Sequence, residues 1–238
     1  MERYEFATSQ VSRSAGVAAT EKVTTFLRAV YGWMCAGLGI TAGVAYVVAG
    51  SPSILLTIAS NRLYFWALLG AQLGIVFFLS ARVHKLTPAA AAGLFIAYSG
   101  LTGVTMAFVL LAYTGASVAS TFVVTAGMFG SLAMFGTVTS KSLEGWGQFL
   151  FMGLIGVVLA SVVGIFWQSD ALQFIIAFCG VIVFTGLTAY DAQRLRNMAL
   201  ALPSGQTGSY AVVGALALYL DFVNLFLMLL RLFGDRRN

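Results

Sequence analysis

Charge is scarce in this chain: Asp, Glu, Lys and Arg together make up 9% of its 238 residues. There are also only two cysteines, three prolines and one histidine, and each shortage excludes something. Cys35 and Cys179 sit singly in different apolar stretches, where cysteine packs as a small residue, so neither a disulfide framework nor a redox pair is indicated. His84 falls in a polar break, which leaves no histidine-rich metal site and no serine–histidine pair inside an apolar segment. Pro52, Pro88 and Pro203 all lie in connections, so no proline-broken transporter helix is present. Neither a GxxxxGK[ST] loop nor a strand-to-helix GxGxxG occurs, and no phosphate cradle is expected. The net charge of +5 reads as membrane orientation, not as a nucleic-acid footprint.

What the chain has in abundance is apolar surface. Hydrophobic residues make up 60% of it and the mean hydropathy is +0.92, too apolar for a soluble globule. Continuous runs of about 20 residues match the hydrocarbon thickness, and such runs are unlike the alternating short segments of an outer-membrane barrel. The runs predict seven helical spans near 27–49, 63–80, 89–112, 116–138, 147–167, 171–191 and 211–230. Residues 1–26 form a polar cytoplasmic tail without the apolar core of a cleavable signal, and 27–238 form the transmembrane domain. Among 26 glycines, Gly39 and Gly43 make a GxxxG spacing in the first span, the pattern that lets apolar helices approach closely.

Two acids break the apolar pattern. Asp191 ends the sixth predicted span and Asp221 lies about eleven residues into the seventh, about 16 Å deep at 1.5 Å per residue. A carboxylate at bilayer depth costs roughly 2.5–3.5 kcal/mol on insertion scales, which makes each a functional-site hypothesis. Helical spacing puts Thr188 and Arg194 beside Asp191, and Asn224 one turn beyond Asp221. The plainer alternatives are that Asp191 snorkels at the boundary with Arg194 and Arg196, that Asp221 makes a structural hydrogen bond, and that Arg82 only fixes topology.

At these residues the chain resembles the Bax inhibitor-1/YccA family of membrane proteins, in particular its bacterial YbhL-like members. The resemblance rests on GVIVFTGLTAYDAQRLR at 180–196, LYLDFVNLFLMLLRLFG at 218–234, ASTFVVTAGMFG at 119–130 and VYGWM at 30–34. It implies an all-α bundle of seven transmembrane helices in the bacterial inner membrane, with the C-terminal helix central and wrapped by the other six. It also implies that Asp191 and Asp221 form a hydrogen-bonded pH sensor and that Arg82 matches an arginine able to lock the first aspartate; Thr188 and Asn224, by their helical spacing, are the expected supporting polar residues. The function so implied is a pH-sensitive cation (calcium) leak, without catalysis or a cofactor. Its alternative is a non-conducting stress regulator acting on a membrane-bound AAA protease. Many relatives read YDTQ where this chain has Tyr190-Asp191-Ala192-Gln193, which removes a hydroxyl beside the sensor. An intramembrane aspartyl protease also needs two membrane aspartates. Here, however, Leu218-Tyr219-Leu220 precedes the second one in place of Gly-x-Gly, and no Pro-Ala-Leu occurs.

Orientation follows from the basic residues. With a cytoplasmic N-terminus that side carries 9 of the 13 Lys and Arg, while Arg62, Arg231, Arg236 and Arg237 face outward. Reporter fusions at the two termini are therefore expected to read opposite sides, with the N-terminus inside. Fusions reading the same side would replace the seventh crossing by a re-entrant segment.

Overall fold

The computed structural model describes residues 2–167, 169–203 and 207–237. It contains eight α-helices: α1 (Glu2–Ala49), α2 (Pro52–Ser60), α3 (Arg62–Arg82), α4 (Pro88–Ala112), α5 (Gly115–Val138), α6 (Glu144–Phe166), α7 (Asp170–Ala201) and α8 (Thr207–Phe233). A one-turn 3-10 helix, Val83–Lys85, joins α3 to α4. All except α2 are long and apolar enough to cross a membrane, which makes this an all-α protein with seven candidate spans. Pro52 and Pro88 open α2 and α4, where a missing N–H costs nothing, and Thr87, Thr114 and Ser169 accept hydrogen bonds from the first turns of α4, α5 and α7.

The last helix is the axis of the bundle. Helix α8 has 61% of its apolar window buried, against 39% or less for every other span, and it packs against α1, α4, α5 and α7. Its 27 residues give a length of about 40 Å, enough for a full crossing. Beyond it the chain turns back on the α4–α5 connection: Asp235 O accepts from Thr114 N at 3.0 Å, Arg237 N donates to Ala112 O at 3.0 Å, and Asp235 N donates to Ser117 Oγ at 2.9 Å. The enclosure differs from a ring of six. Helix α6 joins the bundle mainly through α7, and α3 is the outermost span, with 6% of its window buried and α4 as its chief neighbour.

Two boundaries and one helix contact differ from those the sequence predicts. Helix α7 continues ten residues past Asp191, because Ala192, Leu195 and Ala199 repeat at helical spacing and are buried even though Gln193, Arg194, Arg196 and Asn197 look like the start of a loop. The break expected at residue 26 falls inside a continuous α1. There Phe26 is 2% exposed, and Lys22 Nζ donates to Leu202 O at 2.6 Å, capping the end of α7. Gly39 and Gly43 face open space; α1 and α4 instead approach at Gly37, where a β-carbon would lie 2.5 Å from the Phe95 ring, and at Gly103, 2.8 Å from Thr41 O.

The tightest approach sets the position of the Asp191 turn. A β-carbon at Gly136 would collide with the Ala189 carbonyl oxygen, two residues before Asp191. Gly136→Ala is therefore expected to force α5 from α7 and to lower the thermal unfolding midpoint in detergent, at a cost of about 1–3 kcal/mol. Gly127→Ala, on the same helix with nothing within 4 Å, is expected to leave the midpoint unchanged or raise it. Equal behaviour of the two variants would show that the helices separate without cost.

Candidate functional site: two cavities at the aspartates

Continuation of α7 past Asp191 has a structural consequence: the aspartate is held within a helix that packs along α8, so both acids can face one space. Asp191 and Asp221 line the same cavity, of about 570 Å³, between α6, α7 and α8. Glu144 and Gln148 on the first turns of α6 stand at its polar end together with Arg194, and Asn224 lies one turn past Asp221. A second cavity, of about 470 Å³, reaches Asp191 and Arg194 from the other side of the α7–α8 seam, past Ser80, His84 and Tyr210. Ala217 and Leu220 of α8 belong to both walls.

Local packing explains why the cavities exist. Gly147 leaves a slot on α6 that the Tyr190 ring fills, since a β-carbon there would collide with it, and the ring becomes a wall beside Asp191. Gln193 is 6% exposed and clamps the α5–α6 connection. Its Oε1 accepts from Leu143 N at 2.7 Å, and its Nε2 donates to Lys141 O at 2.8 Å. At the rim of the second cavity Tyr210 OH hydrogen-bonds His84 Nδ1, and Ser209 Oγ donates to Leu86 O at 2.7 Å, so the start of α8 is tied to the α3–α4 connection. Beyond Asn224 the first cavity meets an apolar cluster that includes Phe184, Leu225, Met228 and Leu229.

The two acids occupy different environments. Asp221 is 5% exposed, and its Oδ2 is buried without a hydrogen-bond partner. Asp191 is half-buried, within Coulombic reach of both Asp221 and Arg194. Among the described residues no hydrogen bond joins the two carboxylates, so this structure shows them sharing a cavity and not directly paired. Arg82 is exposed at the end of α3, its guanidinium 5.9 Å from the centre of the Phe78 ring, and it lines neither cavity. Thr188 is buried and donates to Phe184 O at 2.8 Å on its own helix; Asn224 likewise donates to Leu220 O at 2.8 Å while lining the first cavity. Sequence reasoning missed Gln193, Tyr190 and Glu144. Only Gln193 carried a signal, as a polar residue at i+2 from the acid inside a run of helix formers.

Together, seven apolar helices, a buried central α8 and an acid on each of the two most buried spans define a polytopic helical membrane protein with a polar site inside the bundle. Residues 23–238 match the family described as "Inhibitor of apoptosis-promoting Bax1". The chain is 47% identical over 240 residues to the inner membrane protein YbhL of Escherichia coli K12, with 100% of both chains covered. It is 45% identical to an uncharacterized protein of Deinococcus radiodurans, covering 91% of this chain and 93% of that one, and 42% identical to one of Borreliella burgdorferi, covering 90% and 93%. This chain belongs to the Bax inhibitor-1 family.

A buried carboxylate oxygen without a partner destabilises the fold that contains it. Asp221→Leu, with the neighbouring cavity to receive the larger side chain, is therefore expected to raise the unfolding midpoint in detergent by a few degrees, about 1–3 kcal/mol. A lower midpoint would make Asp221 a structural hydrogen bonder.

Proposed function

We propose that this protein is a proton-responsive cation leak of the inner membrane, calcium included among its ions, in which Asp191 and Asp221 together form the sensor. The observation that carries the reading is the cavity holding both carboxylates, with Asp221 Oδ2 unpartnered at its depth. Two carboxylates in one poorly solvated space cannot both ionise cheaply, so a proton taken up or lost is a property of the pair. Their acidic oxygens also offer a hard cation oxygen ligands inside the cavity. The location is supported by the 47% identical inner membrane protein of Escherichia coli.

Loss of the shared proton brings repulsion, and repulsion favours separation of α7 from α8. In that state Arg82 serves as a latch for Asp191. It hangs on α3, the outermost span, next to Ser80 and Val83, which line the second cavity, so a modest movement of a weakly held helix brings it in. Gln72 does not supply a path along α3, because its Nε2 donates to Thr105 Oγ1 on α4 at 3.0 Å. The reading involves no catalysis.

One observation favours the alternative, a non-conducting regulator of a membrane partner such as an AAA protease. The first cavity stops at the apolar cluster around Met228 and Leu229, and conduction requires that cluster to part. Calcium-dye flux from proteoliposomes between about pH 5 and 8 distinguishes the two. The wild type is expected to show a pH-dependent flux that flattens in Asp191→Asn and in Asp221→Asn alike, with the double variant adding little, since residues acting as one unit are non-additive. Absence of flux at every pH would favour the regulator. Additive, separate changes in the profile would end the paired sensor.

A further inference from the structure

The positive charge beside Asp191 in this structure comes from its own helix. Arg194 lies three residues on, on the same face of α7, and lines both cavities that reach Asp191. The neighbouring arginines are occupied elsewhere: Arg196 Nη1 donates to Thr139 O at 3.3 Å, and Arg82 lies over Phe78. We propose that Arg194 supplies the counter-charge that sets the proton occupancy of the aspartate cavity, and so the pH at which the protein responds. This rests on the sensor reading of Asp191 and Asp221, and it assigns a positioning role to a residue that sequence spacing alone leaves as a boundary cation.

The groups facing Asp191 can be named from each wall. Helix α6 brings Glu144, α7 brings Arg194 and Tyr190, α8 brings Asp221 and Tyr210, and the α3–α4 connection brings His84. Among the described residues, helices α1 and α5 bring no ionisable side chain to either cavity. Among these, Arg194 is the one permanent cation, set against Asp191, Asp221 and Glu144. His84 is engaged by Tyr210 at the rim of the second cavity. A positive charge close to a pair of acids stabilises their ionised form through space, and removing it makes the pair hold its proton to higher pH. Because Arg194 is solvent-exposed, screening reduces the effect below that of a buried partner.

Arg194 makes no hydrogen bond to Asp191 among the described residues, so the interaction depends on charge and not on the planar guanidinium fork. That separates it from a bidentate latch and dictates the test. In proteoliposomes loaded with calcium dye, Arg194→Gln is expected to move the midpoint of the pH–flux profile upward by about half to one unit. Arg194→Lys is expected to keep the wild-type midpoint. A second readout, the pH dependence of the thermal unfolding midpoint of the detergent-solubilised full chain, should show the same displacement whether or not the protein conducts.

The outcomes separate the two ideas. If Arg194→Gln leaves both profiles in place while Asp191→Asn flattens them, the counter-charge is overturned and the sensor stands. If Arg194→Gln displaces the unfolding profile and no variant conducts, the counter-charge is supported and the leak fails. If Arg194→Lys behaves like Arg194→Gln, the guanidinium acts by geometry, and the through-space role is overturned.

Discussion

A carboxylate cannot be left facing lipid, and the burial of α8 is the constraint that the rest of this bundle satisfies. With α1, α4, α5 and α7 packed around it, the middle of α8 meets protein on nearly every side, and Asp221 is removed from hydrocarbon there. The same enclosure explains why α8 also holds Tyr219, fully buried and hydrogen-bonded to Thr41 at 2.6 Å, two residues from Asp221 on the opposite face. One face of the axis is thus satisfied by α1 and α4. The other, which carries Asp221, opens to a cavity.

Membership of the seven-span class was legible in the apolar runs, since their length is fixed by bilayer thickness and nothing else in the chain competes with that signal. The end of α7 was not legible, for a physical reason. Hydropathy marks where a helix leaves lipid, not where it stops being a helix, and Ala192-Gln193-Arg194-Leu195-Arg196 keeps a buried apolar stripe after the polar residues begin. The short α2 was hidden in the same way, being too short to span. The GxxxG spacing of Gly39 and Gly43 marks a helix that could be approached closely, but both glycines face open space, because permission is not direction. Which glycine meets a neighbour depends on helix rotation, which one sequence does not set, and Gly37, Gly103, Gly136 and Gly147 are among those that do so.

The two acids were found as anomalies of composition, and the space between them is a matter of packing. Counting residues put Asp191 near a boundary and Asp221 deep; the extra ten residues of α7 allow both to line one cavity. That depended on Tyr190 fitting against Gly147 and on Gln193 holding the α5–α6 connection, two contacts between segments 43 to 52 residues apart. Neither leaves a trace in local periodicity. The acids themselves are visible precursors of the site, and the walls are not.

Stability is distributed so that one end of the bundle can change while the other is fastened. The C-terminal segment is pinned to the α4–α5 connection by backbone hydrogen bonds, and Arg231 Nη1 donates to Gln173 Oε1 at 3.1 Å where α8 ends and α7 begins. Near the start of α8 the ties are side-chain contacts, Ser209 to Leu86 and Tyr210 to His84, and they lead to α3, the span with the least buried surface. Movement follows the cheapest loss of contact, so it begins at α3 and the α3–α4 connection, beside the second cavity, and not at the pinned end. The apolar cluster of Phe184, Leu225, Met228 and Leu229 lies between the aspartates and that pinned end. For the proposed leak, an ionic path would therefore have to be completed where the bundle is hardest to open, and that would make separation of the α7–α8 seam, driven from the carboxylates, its decisive step.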